Sequence, residues 1–507
     1  MYLGLDLGTS ELKALLLDEQ HATVASASAP RSVQRPHPRW SEQAPADWWA
    51  ATDLVMQRLA AAHPAAMAQV RGLGLSGQMH GAVLVDAANQ VLRPAILWND
   101  GRSGAECAEL QRRVPRLHAI TGNLAMPGFT APKLLWLARH EPALFARIDG
   151  VLLPKDWLRL QLCGERIGEM SDAAGTLWLD VAARRWSTEL LGACGLREAQ
   201  MPRLVEGSAP AGTLLPALAR RWGLRSAAEG GVLIAGGGGD NAASAVGMGV
   251  VRPGQGFLSL GTSGVIFLAG DSFSANPAQA VHAFCHALPG RWHQMSVMLS
   301  AASSLRWVTQ LLGQPDEATL LAQVARLDDA QRARAPIFLP YLSGERTPHN
   351  NPAAQGVFFG LDASHGAAEM GYAVIEGVAF GLLDGWRALG QGAAPAGVSA
   401  LSLVGGGARS ALWAQLLASA LGVALLSHPG SEAGGALGAA RLAWLADVGD
   451  LGDLGDATGP SAALIDRVCP VPPVAHRFEP DAAQQAALAP RYARFQALYG
   501  ALQPLFG

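Results

Sequence analysis

Apolar and non-apolar positions alternate through Tyr2-Leu3-Gly4-Leu5-Asp6-Leu7-Gly8, the period of an extended strand. Leu3, Leu5 and Leu7 then share one face, and Gly4, Asp6 and Gly8 share the other. A carboxylate between two glycines has open space beside it, as a ligand needs. A solvated strand face carrying one acid fits the same pattern. Residues 1–30 continue as two further strands separated by turns. Pro45 opens a helix in which Trp48, Ala51, Val55 and Leu59 recur at helical spacing. Strands are predicted at 70–76 and 82–85, and another apolar run covers 92–98. Residues 103–230 read mostly as helices and loops. The wholly apolar run 232–235 reads as a strand buried on both faces. It leads through Gly236-Gly237-Gly238-Gly239-Asp240 into a small-residue helix over 241–247.

The second half repeats these motions. A strand over 256–260 turns into a strand over 265–268, and a later strand over 401–404 ends at Gly405-Gly406-Gly407. The helix that follows places Trp413, Leu416, Leu417 and Ala420 on one face. Residues 446–480 are rich in Gly, Asp and Pro and read as irregular. Tyr492, Phe495, Leu498, Tyr499 and Leu502 mark a C-terminal helix that must pack on something. Strands alternating with helices in both halves predict α/β architecture.

One tetrapeptide links the halves. Leu7-Gly8-Thr9-Ser10 returns as Leu260-Gly261-Thr262-Ser263, displaced by 253 of the 507 residues. Each copy follows an apolar strand, so two related lobes are expected, each presenting a small-residue loop toward a shared cleft. Such loops offer backbone N–H groups and hydroxyls to a polyphosphate. The lobe boundary is placed at 248–255, giving lobes over 1–248 and 249–507. A chain of this length exceeds one ordinary core.

Composition narrows the classes. Charged residues make up 16%, below the usual ~25%, and the net charge of −3 gives no basis for nucleic-acid binding. No apolar run reaches the ~18 residues of a membrane span. Five cysteines without CxxC pairing suit a reducing compartment and no zinc site. A basic start is lacking, so a cytoplasmic protein is expected.

Gly72-Leu73-Gly74-Leu75-Ser76-Gly77 has the GxGxxG spacing, but Gln78-Met79-His80-Gly81 leads into another strand rather than a helix. A dinucleotide site is therefore rejected. A GxxxxGK[ST] loop, a GxSxG elbow and HExxH are all missing. Asp6 and Asp240 are the candidate functional carboxylates. Asp240 reads equally as a helix cap or as a base, and the four glycines before it favour the base. His80, beside Met79 in a glycine-flanked turn, has the composition of a structural histidine as much as of a ligand. Gly405-Gly406-Gly407 fits either a flat ring lying on backbone or a tight strand-to-helix turn.

Taken in order, Asp6-Leu7-Gly8-Thr9-Ser10 with Lys13, the glycine-led Asp240, Gly261-Thr262-Ser263-Gly264 and Gly405-Gly406-Gly407-Ala408-Arg409 resemble the FGGY carbohydrate kinases. Gly128-Phe129-Thr130-Ala131-Pro132-Lys133 and Gly356-Val357-Phe358-Phe359-Gly360, running on to Ile375-Glu376-Gly377, are similar to that family's signatures. The resemblance implies two ribonuclease-H-like lobes of the actin/hexokinase type flanking an ATP cleft. Within the family, Arg35-Pro36-His37-Pro38, Gln78-Met79-His80-Gly81, Leu97-Trp98-Asn99-Asp100, Leu153-Pro154-Lys155-Asp156 and Ser343-Gly344-Glu345-Arg346-Thr347-Pro348 resemble the members that phosphorylate D-xylulose. Ribulokinase-like or polyol specificity, and a non-kinase ATPase on the same fold, are the alternatives.

The resemblance implies roles. Asp240 would be the catalytic base, Met79, His80, Asp240 and Asn241 would bind sugar, and Asp6 would hold Mg²⁺. Thr9, Gly261, Thr262 and Ser263 would meet the phosphates of ATP, and Gly405 and Gly406 the adenine and ribose. A homodimer is expected on the same ground. One departure stands out, because Glu11 occupies the position where the family usually has glycine.

Overall fold

The computed structural model describes residues 1–429, 434–449 and 459–506. The alternation at the N-terminus forms β1 (Tyr2–Leu7), β2 (Glu11–Leu17) and β3 (Thr23–Pro30), an antiparallel meander. Helix α1 (Pro45–Ala62) buries Trp48, Ala51, Val55 and Leu59 against the face carrying Leu3, Leu5 and Leu7. The chain then returns beside β1 as β4 (Gly72–Gly77), in parallel. The edge strand β5 (Pro210–Thr213), the strand β6 (Leu233–Ala235) and the short β7 (Gly238–Gly239) complete a seven-stranded sheet in the order β5-β6-β4-β1-β2-β3, with β7 also on β4.

The second lobe repeats the plan. Its sheet contains β8 (Gly256–Leu260), β9 (Gly264–Gly270), β10 (His282–Cys285), β11 (Trp292–Met298), β12 (Ala400–Val404), β13 (Ala424–Ser427) and β14 (His476–Phe478). Their order is β10-β11-β9-β8-β12-β13-β14. In each sheet an antiparallel meander adjoins two parallel strands and ends on an antiparallel edge. That is the ribonuclease-H-like arrangement, present twice.

Between the sheets, residues 103–230 supply mainly helices, among them α2 (Thr130–His140) and α3 (Met170–Ala174). Helix α4 (Asp240–Gly247) follows the glycine run. The second lobe adds α5 (Ala302–Leu311), α6 (Glu317–Val324), α7 (Ala367–Leu389) and α8 (Ala411–Leu421). Helix α9 (Gly434–Gly449) comes from the C-terminal half but lies on the first sheet. Helix α10 (Ala462–Val468) and β14 occupy part of the stretch expected to be irregular, which is thus corrected; residues 450–458 lie outside the described residues. The C-terminal α11 (Ala482–Leu502) packs Tyr492, Phe495 and Leu498 into the core of the second lobe.

The glycine face of β1 is covered at Gly4, which confines the expected empty space to the Asp6 end of the strand. A Cβ on Gly4 would stand 1.9 Å from the Ala436 carbonyl oxygen, and one on Gly74 1.8 Å from that of Ala439. Helix α9 therefore rests directly on the backbone of β1 and β4. A Cβ on Gly438 would likewise stand 1.7 Å from the Ala243 carbonyl oxygen, so α9 also touches the backbone of α4. The apolar run 92–98 yields only a two-residue strand, Ala95–Ile96.

Candidate active site

The register of three parallel strands brings the two carboxylates together. Asp6 on β1 pairs with Ser76 on β4, and Ser76 pairs with Gly238 on β7, two residues before Asp240. Ser76 donates its hydroxyl to Asp6 Oδ1 at 2.9 Å. Gly237 takes a left-handed φ of 76°, and a Cβ there would lie 2.1 Å from the Leu75 carbonyl oxygen. The glycine run thus threads against neighbouring backbone, a packing reason for residues that the sequence suggested were clearing room for a base.

Asp240 is the first residue of α4, after Gly239 at the cap position. Its Oδ1 accepts from the backbone N–H of Asn241 at 2.8 Å and from Asn241 Nδ2 at 3.0 Å, which leaves Oδ2 for a ligand. Burial and then the like charge of Asp6 push the Asp240 carboxyl up to about 6. Burial also raises Asp6, against the Ser76 hydroxyl and the charges of Lys13 and Arg31. The two carboxylates share one site.

Met79 and His80 border it. A Cβ on Gly239 would lie 2.9 Å from Met79 Cγ, so Met79 abuts the residue just before Asp240. His80 Nδ1 lies 2.6 Å from the Gly175 carbonyl oxygen, which places the proton on Nδ1 and leaves Nε2 as an acceptor. Burial pushes this imidazole down to about 3, so it is neutral. Beneath it, Thr130 Oγ1 and Lys133 Nζ donate to the His80 carbonyl at 3.1 and 2.8 Å.

A short helix ties the Asp240 segment and His80 together. Ser171 on α3 accepts from the Gly239 N–H at 3.1 Å, and Gly175 just beyond α3 holds His80. Glu169 caps α3 through the N–H groups of Ser171 and Asp172 at 2.7 and 2.8 Å. Buried Lys155 contacts Glu169, Asp156 and Asp172, and Arg159 donates to the Gly236 carbonyl. The Leu153-Pro154-Lys155-Asp156 stretch therefore braces the floor of the site.

The second lobe carries a cleft of about 860 Å³ lined by Gly261, Thr262, Ser303, Arg306, Gly406 and Gly407 among others. Gly405 stands beside it with a φ of 93°, where a Cβ would lie 2.7 Å from the Leu260 carbonyl oxygen; it makes the turn, while Gly406 faces open space. The Ser263 carbonyl accepts from the Gly261 N–H at 3.1 Å, closing the loop. Thr9 is differently placed. Its hydroxyl donates to Gln78 Oε1 and accepts from Trp98 Nε1, both at 3.0 Å. The cleft residues Ser303 and Arg306, and Ser76 beside Asp6, carried no signal in the sequence, because nothing local marks them.

Two ribonuclease-H-like lobes, with paired carboxylates at the end of one sheet and a glycine-lined cleft on the other, define a two-lobed α/β phosphotransferase. The chain belongs to the FGGY family of carbohydrate kinases, whose N-terminal domain matches residues 1–247 and C-terminal domain residues 256–446. It is similar to a protein named xylulose kinase from Escherichia coli (strain K12), 52% identical over 506 residues and covering 100% of both chains. A Bacillus subtilis (strain 168) protein of the same name is 35% identical over 87% of each chain. Among solved structures, a "xyloylose kinase" from Brucella ovis superposes with a TM-score of 0.92 at 49% identity, covering 99% of each chain. A Plasmodium falciparum glycerol kinase superposes with a TM-score of 0.85 at 18% identity over 97% of this chain and 96% of its own, a likeness of fold.

Proposed function

We propose that the enzyme transfers the γ-phosphoryl group of ATP to the terminal hydroxyl of D-xylulose, giving D-xylulose 5-phosphate. The reading rests on one observation above all: Asp6 and Asp240 stand at the ends of adjoining parallel strands, close enough for the Asp6 charge to raise the Asp240 carboxyl, beside the Met79–His80 turn. The substrate is carried over from the relatives' names. Residues 1–248 serve as the sugar-side lobe and 249–507 as the nucleotide-side lobe.

Asp240 is the base. Ionised above about pH 6, it orients the substrate hydroxyl through Oδ2 while Asn241 holds Oδ1. As the sugar oxygen attacks the γ-phosphorus and the bond to the β–γ bridging oxygen breaks, the hydroxyl proton passes to Asp240 and ADP leaves with the electron pair. An alcohol is a far weaker acid than Asp240, so the proton moves late. Met79, His80 Nε2 and Asn241 position the sugar. Gly261, Thr262 and Ser263 hold the phosphates, and Gly405 and Gly406 form the nucleoside end. Thr9 contributes through its loop.

The site suits Mg²⁺ held by one carboxylate, water and nucleotide phosphates. A Cβ on Gly435 would lie 2.6 Å from Asp6 Oδ2, so that glycine keeps space open beside a hard oxygen donor. Among the described residues no group of three His, Cys, Asp or Glu forms a cage for a metal. Asp6 would hold the ion, which when bound neutralises phosphate charge.

No helix among the described residues is long and apolar enough to cross a membrane. A cytoplasmic setting suits ATP supply and five free cysteines.

The test is a panel of D-xylulose, D-ribulose, xylitol and glycerol with ATP and Mg²⁺, product read by mass. D-xylulose should give the highest kcat/KM, with an acid limb near pH 6. Asp240→Asn should lose about a thousandfold in kcat while remaining folded. A folded Asp240→Asn variant with near-normal turnover removes the base assignment; a preference for D-ribulose reassigns the substrate.

A further inference from the structure

Lys133 closes the run Gly128-Phe129-Thr130-Ala131-Pro132-Lys133 and has no part in the transfer above. It lies in the first turns of α2, three residues after Thr130, so the two side chains share a face of the helix. Both are fully buried. Thr130 Oγ1 and Lys133 Nζ converge on one acceptor, the His80 carbonyl, at 3.1 and 2.8 Å.

A lysine is rarely enclosed unless a carboxylate pairs with it. Among the described residues Lys133 has no such pair, and the His80 carbonyl is its one hydrogen-bond acceptor. The Asp100 carboxylate, which acts on it from farther off, is taken by Arg102 and the Ser41 N–H. Burial pushes the Lys133 ammonium down to about 7, against that charge. An apolar side chain of similar length would fill the space without the cost of burying a cation. What the lysine adds is the bond to that carbonyl.

The carbonyl belongs to a residue in a disfavoured conformation. His80 has a φ of 67°, in the left-handed region where a Cβ is crowded. Such backbone persists where its surroundings over-determine it. The Gly81 N–H donates to the Met79 carbonyl at 2.9 Å and closes the turn, and a Cβ on Gly81 would lie 2.6 Å from Pro154 Cγ. From the ring side, His80 Nδ1 donates to the Gly175 carbonyl at 2.6 Å. The Thr176 carbonyl, one residue on, accepts from the Ala131 N–H of α2 at 3.0 Å, so the two holds on His80 are joined to each other. Phe129 meets the imidazole with centroids 4.6 Å apart. His80 stays partly exposed while Thr130 and Lys133 are enclosed, so a ligand can reach the imidazole but neither donor behind it.

We propose that Lys133 is a positioning residue: with Thr130 it fixes the His80 carbonyl, holds the left-handed turn and so aims Nε2 into the sugar site, an inference that rests on the reading of His80 as sugar-binding. Without the ammonium the His80–Gly81 peptide loses its charged donor and rotates toward ordinary backbone, carrying the imidazole off its line. A contact made alike in ground and transition state appears in KM rather than in kcat.

The experiment measures kinetics at saturating ATP, on D-xylulose or whichever sugar the panel above prefers, with melting curves for the full-length enzyme, Lys133→Met, His80→Asn and the double variant. Lys133→Met should raise the sugar KM about three- to tenfold, leave kcat and the KM for ATP within about twofold, and melt at or near the wild-type temperature. His80→Asn, whose side chain tolerates left-handed backbone, should raise the same KM, and adding Lys133→Met to it should raise KM no further. Thr130→Val should act as Lys133→Met does, and Thr130→Ser, which keeps the hydroxyl, should recover a near-normal KM. An unchanged KM in Lys133→Met, or a Lys133→Met effect that persists in full on the His80→Asn background, overturns the proposal. A lowered melting temperature with KM unchanged marks a bracing role and overturns it too. If Lys133→Met does not fold, Thr130→Val and Thr130→Ser on the two backgrounds decide. Should His80→Asn leave KM unchanged, the sugar role of His80 falls and the proposal with it. Should His80→Asn raise KM while Lys133→Met does not, only the Lys133 assignment falls.

Discussion

The two copies of Leu-Gly-Thr-Ser sit on equivalent hairpins, β1–β2 and β8–β9, yet they are built for different work. In the first hairpin Leu7 pairs with Leu12 across four residues, and in the second Leu260 pairs with Gly264 across three. The first hairpin carries Asp6 where the second has Ser259. The hydroxyl of Thr9 is tied between Gln78 and Trp98, and Gln43 donates to its carbonyl at 2.8 Å. Thr262 is exposed on the 860 Å³ cleft, its carbonyl accepting from Ala301 at the start of α5 at 2.9 Å. The exposed Glu11 opens β2, while Gly264 opens β9 buried, where a Cβ would lie 2.9 Å from Leu382 Cδ2. A duplicated tetrapeptide thus takes loops of two lengths and divides its chemistry. One copy follows a carboxylate that Ser76 holds, and the other turns exposed onto the cleft of the second lobe.

The largest expected asymmetry is at the position just before the last leucine of each strand. Asp6→Asn should lower kcat by about a hundredfold or more, while Ser259→Ala should stay within about threefold. Asp6→Asn should also move the acid limb of kcat/KM to lower pH, because its charge helps hold the Asp240 carboxyl up. Equal effects of the two substitutions would erase the contrast.

Exchanging the residues that open β2 and β9 comes next. Gly264→Glu forces a side chain against Leu382 and should cost about 1–3 kcal/mol by denaturant unfolding, with a raised KM for ATP. Glu11→Gly should leave stability within about 1 kcal/mol and leave the KM for ATP unchanged or lower. The threonines should give the smallest effects. Thr9→Val strands Gln78 Oε1 and Trp98 Nε1 and should cost about 1–2 kcal/mol of stability. Thr262→Val should spare stability and raise the KM for ATP by a fewfold; the reverse pattern would mean that the two loops exchange roles.

Local patterning made much of this architecture readable. Alternation located β1 and β8, helical spacing located α1 and α8, and the glycines before Asp240 and after β12 marked two strand ends. The stretch over 446–480 was misread because short elements such as α10 and β14 are held by tertiary partners rather than by their own period. His282 gave no sign in the sequence, since only its meeting with Asn123 and Phe129 aligns it with His80.

Glycine spacing shows where the boundary falls. By itself, the order of residues determined that β1 would be a strand with Asp6 on its glycine face, and that Asp240 would follow four glycines at the end of an apolar strand. Only the tertiary structure decided what fills the room beside those glycines, namely the backbone of α9, which lies far along the chain and rests on Gly4 and Gly74. Periodicity is a property of neighbours along the chain, whereas the atom that occupies an absent Cβ comes from wherever the sheet register and helix packing bring it.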